Sequence, residues 1–136
     1  ASRLKTYIGG GITHAGQWRT TTDATEADPV VNWEVADTDQ YGGIGTAMSE
    51  SSGIFTFPST GFWLVQSNWN WYVSGDNSAS RYNTGLIKND DDDYFASAYA
   101  SINPRSTSLY HQSGHCQIVL DITDVTADAQ KIIFRA

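Results

Sequence analysis

Hydrophobic side chains recur at every second position in short segments of this chain, a pattern that predicts β-strands. In residues 62–73 the odd positions are mostly apolar, whereas the even positions begin apolar with Phe62 and Leu64 and then become polar. Residues 109–122 alternate in the same way, with Cys116 and Ile118 on the apolar side. We therefore expect the strand at 62–73 to bury one face over most of its length and the other face only near its start.

Further segments of this type lie between clusters of the turn-forming residues Gly, Pro, Asn, Asp and Ser. They are residues 17–22, 30–35, 53–57, 81–88, 94–102 and 130–134. No segment has a sustained helical period, and the best candidate, residues 123–131, is short and carries β-branched side chains. About eight short strands with turns at this spacing predict an all-β sandwich or jelly roll.

The composition favours strands for an independent reason. The chain has only three Glu and three Lys, so the residues that usually cover helix surfaces are scarce. It has five Trp, seven Tyr and five Phe, which suit a pleated, half-buried surface. A length of 136 residues is that of one domain.

The charge and the cysteine content exclude several classes of protein. A net charge of −7 opposes binding to phosphate backbones and to anionic lipid surfaces, so we expect neither nucleic acid nor membrane as a partner. No apolar run approaches the roughly 18 residues that a membrane-spanning helix requires. A single cysteine, Cys116, excludes an intramolecular disulfide and a Cys-rich zinc site.

One stretch of the chain carries a resemblance to a known family. Residues 53–65 read G-I-F-T-F-P-S-T-G-F-W-L-V. They resemble the G-x-F-x-x-P-x-x-G-x-[YW]-x-[FV] hairpin of the globular head of complement component q and of the tumour necrosis factor superfamily. Residues 85–89, 117–121 and 130–134 resemble later strands of that family.

The local sequence is closer still to phage proteins of this fold. Residues 17–22, 32–37 and 50–61 resemble segments of such proteins. The resemblance implies a jelly-roll domain over residues 17–136, preceded by an N-terminal segment at 1–16. It further implies a homotrimer, with one sheet of each subunit packed around the threefold axis, and binding or structural work rather than catalysis. The implied location is the virion surface, where the partner is a capsid or fibre protein.

The two faces of the long strand suggest two kinds of contact. Phe62 and Leu64, apolar on the face opposite the core, are the candidate trimer interface. Asn70 and Tyr72 are the candidate ligand surface, because Trp69 shares the core parity of the strand. If those side chains bind a host-surface glycan or receptor, the chain is instead a soluble lectin-like module. This module is the alternative to a virion structural protein.

Two other features suggest chemistry. Asp90, Asp91, Asp92 and Asp93 form either a solvated turn or a Ca²⁺ site, because Ca²⁺ takes several oxygen ligands and the resembling family has calcium-binding members. Apart from this Ca²⁺, we expect no cofactor.

His115 and Cys116 are a formal nucleophile–base pair, but neighbours on a strand point to opposite faces. The histidines lack metal-ligand spacing, and we expect no catalytic residues and no enzyme activity.

The resembling family continues beyond the strand at 130–134 with one more strand, which this sequence lacks. We therefore predict that the strand at 130–134 has an edge left open or paired across a subunit boundary, since a sheet edge needs a partner or cover. Either the natural chain continues, or another segment fills the gap. Within the chain, residues 4–8 are the best candidate, and a neighbouring subunit is the other source.

Overall fold

The computed structural model describes residues 11–37, 39, 41–73, 81–102 and 110–136. Their regular structure is almost entirely β, with one turn of 3₁₀ helix at Asp128–Gln130. The strands are β1 (Trp18–Thr20), β2 (Trp33–Val35), β3 (Ser49–Ser51), β4 (Ile54–Thr56), β5 (Gly61–Val73), β6 (Arg81–Asn89), β7 (Tyr94–Ile102), β8 (Tyr110–Ile122) and β9 (Ile132–Arg135). The predicted all-β class is confirmed.

The strands form one five-stranded sheet and two two-stranded ribbons. The sheet has the order β3-β4-β9-β6-β7, and the ribbons are β1-β2 and β5-β8. Both ribbons pack on the same face of the sheet. Trp18 and Trp33 from the first ribbon contact Phe55 of β4, while Trp69 from the second lies against Gly85 of β6. The result is a two-layer structure with its core between the layers.

Three antiparallel strand pairs are nested along the chain. The hairpin β6-β7 is innermost, the pair β5-β8 encloses it, and the pair β4-β9 is outermost. The innermost and outermost pairs belong to the five-stranded sheet, and the middle pair forms the opposite ribbon. Successive pairs therefore alternate between the two layers.

Aromatic side chains fill one end of the core. Phe55 is 2% exposed and receives Trp18 edge-on at a centroid distance of 5.4 Å. Phe134 meets Phe55 at 5.3 Å and an interplanar angle of 90°, and Trp33 approaches both rings. Each edge-to-face contact contributes about 0.5–1.5 kcal/mol beyond the area that it buries.

Two glycines accommodate tryptophans where the layers meet. A Cβ at Gly85 would lie 2.4 Å from the Trp69 ring, and one at Gly114 would lie 2.6 Å from the Trp71 ring. Both distances are far below van der Waals contact, so each indole occupies the space that a side chain would take. Trp69 and Trp71 themselves stack in parallel, 6.2 Å apart with an interplanar angle of 6°.

The strand predictions hold best where the chain alternates cleanly. The predicted segments at 53–57, 62–73, 81–88 and 94–102 match β4 to β7 within one or two residues. The predicted strand at 30–35 is shortened to β2, because Asn32 has a φ of 62° and interrupts the extended backbone. β3 was not predicted; it is polar, and it forms because Ser52 and Gly53 both take positive φ in a two-residue hairpin loop.

The prediction of an open edge on the C-terminal strand is wrong. β9 pairs with β6 on one side and with β4 on the other. The last residues of the chain, past those that pair with β4, bond to the loop at residues 27–30. Val30 N–H donates to Phe134 O at 2.7 Å, and Ala136 N–H donates to Ala27 O at 3.0 Å. The match of residues 130–134 to a later strand of the resembling family is therefore wrong. Both edges of β9 are occupied by strands and a loop of the same chain, so no additional strand is needed beside it.

Residues 4–8, proposed above as an internal strand, lie outside the described residues.

We expect Gly85→Ala to destabilise the chain by about 1–3 kcal/mol, the usual cost of overpacking a close-packed core. The added methyl must displace the Trp69 ring or part the two layers. The free energy of unfolding from urea titration followed by tryptophan fluorescence measures the effect. Gly42→Ala is the matched control, because a Cβ there meets nothing within 4 Å. Equal stability of the two variants would contradict this packing.

Candidate functional site

The side chains of the β5-β8 ribbon that point away from the core form a continuous face, here called the outer ribbon face. At one end it is apolar and open to solvent: Phe62 is 79% exposed, Leu64 is 58% exposed and Val119 is 61% exposed. Leu64 and Val119 are directly opposite each other on the two strands, and Phe62 is one pair further along this face. These three side chains are called the apolar patch below.

Another exposed apolar side chain, outside the ribbon, lies next to the apolar patch. Ile12, which is also exposed, lines a shallow pocket together with Phe62. Val119 was not singled out from the sequence, although the signal is visible: it is the apolar residue between Gln117 and Asp121 on the otherwise polar side of β8.

The middle of the outer ribbon face is a ladder of polar cross-strand pairs. Gln66 donates from Nε2 to Gln117 Oε1 at 2.8 Å, and His115 Nδ1 lies 2.9 Å from Asn68 Oδ1. Such pairs contribute roughly 0.2–1 kcal/mol each to a ribbon. They hold the two long strands in register where no third strand of the described residues flanks them.

Asn70 and Tyr72 lie at the far end of the same face, and both are exposed as their parity predicts. The Tyr72 hydroxyl donates to Asp23 Oδ2 at 2.7 Å, and its ring faces His111 at 6.1 Å. The hydrogen bond to the Asp23 carboxylate raises the pKa of Tyr72. The structure thus places the predicted interface residues and the predicted ligand residues on one face of one ribbon.

The other face of β5 is committed to packing. Trp63, Trp69 and Trp71 are half-buried against the core, as the alternation predicts. On β8, Cys116 is buried with its Sγ 3.1 Å from Ser67 Oγ, whereas His115 is exposed on the opposite face. The two side chains cannot act together, in agreement with the prediction from strand geometry.

The acidic run forms the tight turn that joins β6 to β7. Asn89 is 2% exposed and closes this turn: its N–H donates to Asp93 O at 3.0 Å, and its Oδ1 accepts from Asp93 N–H at 2.7 Å. All four aspartates are exposed. The turn expected from the sequence is therefore present, and its geometry depends on a buried amide that precedes the carboxylates.

A buried lysine neutralises part of this acidic turn. The Lys88 side chain is 5% exposed, and its Nζ donates to Asp28 Oδ2 at 2.8 Å and to Asp92 Oδ1. Burial lowers the pKa of Lys88, but the hydrogen bonds with the two carboxylates outweigh it, so the pKa is raised overall. The same contact lowers the pKa of Asp92. Sequence reasoning missed this cluster because Asp28 is 60 residues away from Lys88.

The Lys88 ammonium lies between the carboxylates of Asp28 and Asp92 and pairs with both. In the part of the chain that the structure describes, no group of three or more His, Cys, Asp or Glu is arranged to hold a metal ion. Nor do the described residues include a helix long and apolar enough to cross a membrane.

Comparison with known proteins adds no assignment. No family model, no curated protein and no solved structure matches this chain.

The ion pair of Asp92 makes the free energy of unfolding depend on pH. Folding lowers the pKa of Asp92. The ion pair therefore stabilises the folded chain at pH values above the pKa of the unfolded chain, about 3.9, and this stabilisation is lost as the pH falls through the pKa of the folded chain. We expect the free energy of unfolding to fall on acidification below about pH 4, and Asp92→Asn to flatten that slope. Asp91→Asn, a neighbour outside the described ion pairs, should retain it. Identical slopes for the two variants would exclude a role for the Lys88 contact.

We expect Ca²⁺ to leave the melting temperature unchanged, because Lys88 already pairs with Asp92. A bound ligand would instead stabilise by about 2.7 kcal/mol at a hundredfold excess over its Kd. Differential scanning fluorimetry with and without millimolar CaCl₂ makes the measurement. A Ca²⁺-dependent rise that disappears in Asp90→Asn would establish the metal site instead of the ion-paired turn.

Proposed function

We propose that this chain is a non-enzymatic assembly protein: a jelly roll of the complement-q and tumour-necrosis-factor type that forms a homotrimer on the surface of a phage virion. There it serves as a capsid decoration protein or as the head of a tail fibre. The observation that carries the proposal is the apolar patch of Phe62, Leu64 and Val119, which is open to solvent in the single chain.

The nested strand pairs support the jelly-roll part of the proposal. A jelly roll is a long antiparallel hairpin rolled up so that successive pairs fall in opposite sheets. Pairs β4-β9, β5-β8 and β6-β7 alternate in this way. The motif that resembles the family corresponds to β4, the turn at residues 57–60 and the start of β5. The expectation that it forms a hairpin is wrong, because β4 pairs with β3 and β9 in the sheet whereas β5 pairs with β8 in the opposite layer.

The energetics of the apolar patch support self-association. Burying a side chain such as Phe62 or Leu64 stabilises an assembly by roughly 1.5–3 kcal/mol. In a trimer with threefold symmetry each contact occurs three times, so the stabilisation that a small patch gives is multiplied by three. A contiguous exposed apolar patch on a protein is typical of an interaction site.

A trimer suits a virion surface because decoration proteins sit at threefold or quasi-threefold capsid positions and fibres are three-stranded. The phage location rests on the resemblance at residues 17–22, 32–37 and 50–61. Immunogold labelling of phage particles with an antibody against this protein tests the location. Labelling confined to the shell favours decoration, and labelling of fibre tips favours a fibre head.

A second candidate is a soluble lectin-like module that binds a host-surface glycan or receptor. The observation that favours it is the exposure of Asn70 and Tyr72 beside His111, at the polar end of the outer ribbon face. Amide and hydroxyl groups can hydrogen-bond sugar hydroxyls, and an aromatic ring can cover a sugar face. A reproducible glycan-array signal that is lost in Tyr72→Ala would favour this module over a virion structural protein.

We expect the protein to be a trimer at micromolar concentration and Phe62→Asp to convert it to a folded monomer. The aspartate would place a charge in the apolar contact of the trimer. In the monomer, position 62 is exposed and accepts a charged side chain without loss of the fold. Light scattering coupled to size-exclusion chromatography gives the mass, and circular dichroism checks the fold.

Tyr99→Asp is the matched control for this experiment, because Tyr99 is a large exposed side chain on β7, outside the apolar patch. It should remain trimeric. A monomeric mass for the unmodified protein, or loss of the trimer in the control alone, would refute the assignment of the interface to the apolar patch.

A further inference from the structure

A cleft separates the two ribbons that cover the five-stranded sheet. On one side it is lined by residues 16–20, which include β1, and on the other by residues 64–72 of β5. Both stretches are uninterrupted, so side chains of both parities contribute to the lining. A groove along a strand face would be lined by every second residue. This cleft therefore runs along the backbone edges of the two strands.

The edge of β5 that faces the cleft has no strand beside it in the described part of the chain, where β8 is its partner on the other edge. Contacts close the cleft at both ends. At one end the Tyr72 hydroxyl donates to Asp23, and at the other His14 packs on Trp63 at 5.4 Å. Between these ends the edge extends over residues 64–72, which as a strand measure about 30 Å.

The dimensions of the cleft indicate a polymer rather than a small molecule. Its volume is about 1920 Å³, whereas small-molecule pockets usually measure roughly 300–1,000 Å³. Its lining includes the partly buried aromatic side chains of Trp18, Trp33 and Phe95, so side chains entering it meet apolar surface. Asn83 also lines the cleft, and its Nδ2 is buried with no hydrogen-bond partner in the structure described.

The charges on the rim favour a basic occupant. Asp23 and Glu26 line the cleft and are exposed. Arg19 and Arg135 also line it, but both guanidinium groups are paired with carboxylates: Arg19 with Glu34 at 2.7 Å and Asp37 at 2.8 Å, and Arg135 with Asp28 at 3.5 Å. The rim thus adds to the overall negative charge of the chain, which is −7. Opposite charge on a partner speeds its encounter and orients it.

We propose that this cleft binds an extended, basic segment of a partner protein, which adds as a strand to the open edge of β5. Main-chain hydrogen bonds to β5 supply affinity, alternate apolar side chains of the segment point towards the core, and its lysines or arginines face the acidic rim. The apolar patch lies on the outer ribbon face and the cleft follows the β5 edge, and the two surfaces meet only at Leu64, which belongs to both.

The test uses a synthetic nonapeptide in which lysine and valine alternate. A peptide of the same composition with the residues in blocks is the control, because it cannot place all its valines on one face of a strand. We expect the alternating peptide to bind at least tenfold more tightly by isothermal titration calorimetry. On saturation, hydrogen exchange should slow at amides in residues 64–72 and remain unchanged in residues 123–130, which do not line the cleft.

Protein variants separate the contribution of charge in the cleft from nonspecific binding of the peptide. Glu26→Gln should weaken binding of the alternating peptide severalfold, while Asp121→Asn, at an exposed position outside the cleft, should not. Equal binding of both peptides, or protection confined to residues that do not line the cleft, would overturn the proposal. So would protection, in the protein alone, of the amides at 64–72 that point away from β8, since a second copy or another segment would then occupy that edge.

Discussion

The architecture depends on the insertion of β9 between β4 and β6. Without those two ladders the five-stranded sheet would separate into the hairpins β3-β4 and β6-β7, which lie 25 residues apart from Thr56 to Arg81. Ile132, Ile133 and Phe134 are all buried, so the strand contributes to both faces of the sheet. Its edge also accepts the loop at residues 27–30, which brings Asp28 to Lys88. One short strand therefore organises the sheet, the loop over it and the charge cluster.

The sheet in turn determines what the ribbons can do. Ribbons of two strands are marginal by themselves in water, so each must pack one face on the sheet. For β5-β8 this is achieved by the Trp69 indole, which lies against Gly85 of the sheet. The inner face is thereby used for stability. The outer ribbon face, and the edge of β5 beside which the described residues place no strand, are left for contacts with other molecules.

Charge has a structural role at one place and a surface role elsewhere. Lys88 is buried and holds Asp28 and Asp92 from two distant segments, so its ammonium stabilises the approach of the loop to the β6-β7 turn. The remaining excess of carboxylates is solvated, and it gives the cleft rim its acidic character. The acidic turn, the most conspicuous feature of the sequence, is therefore tied to the fold by one cation of the chain itself.

The all-β class, most of the strands and the division of β5 into a core face and a solvent face can be predicted from the order of residues alone. This is because strand periodicity is a local property: the parity of Trp69 and Tyr72 decides their sides wherever the strand lies. Strand partners are decided at long range, and only the tertiary structure showed that β9 is central and that Asp28 meets Lys88. The same holds for the cleft, since an edge is open or filled according to which distant segments the fold brings beside it.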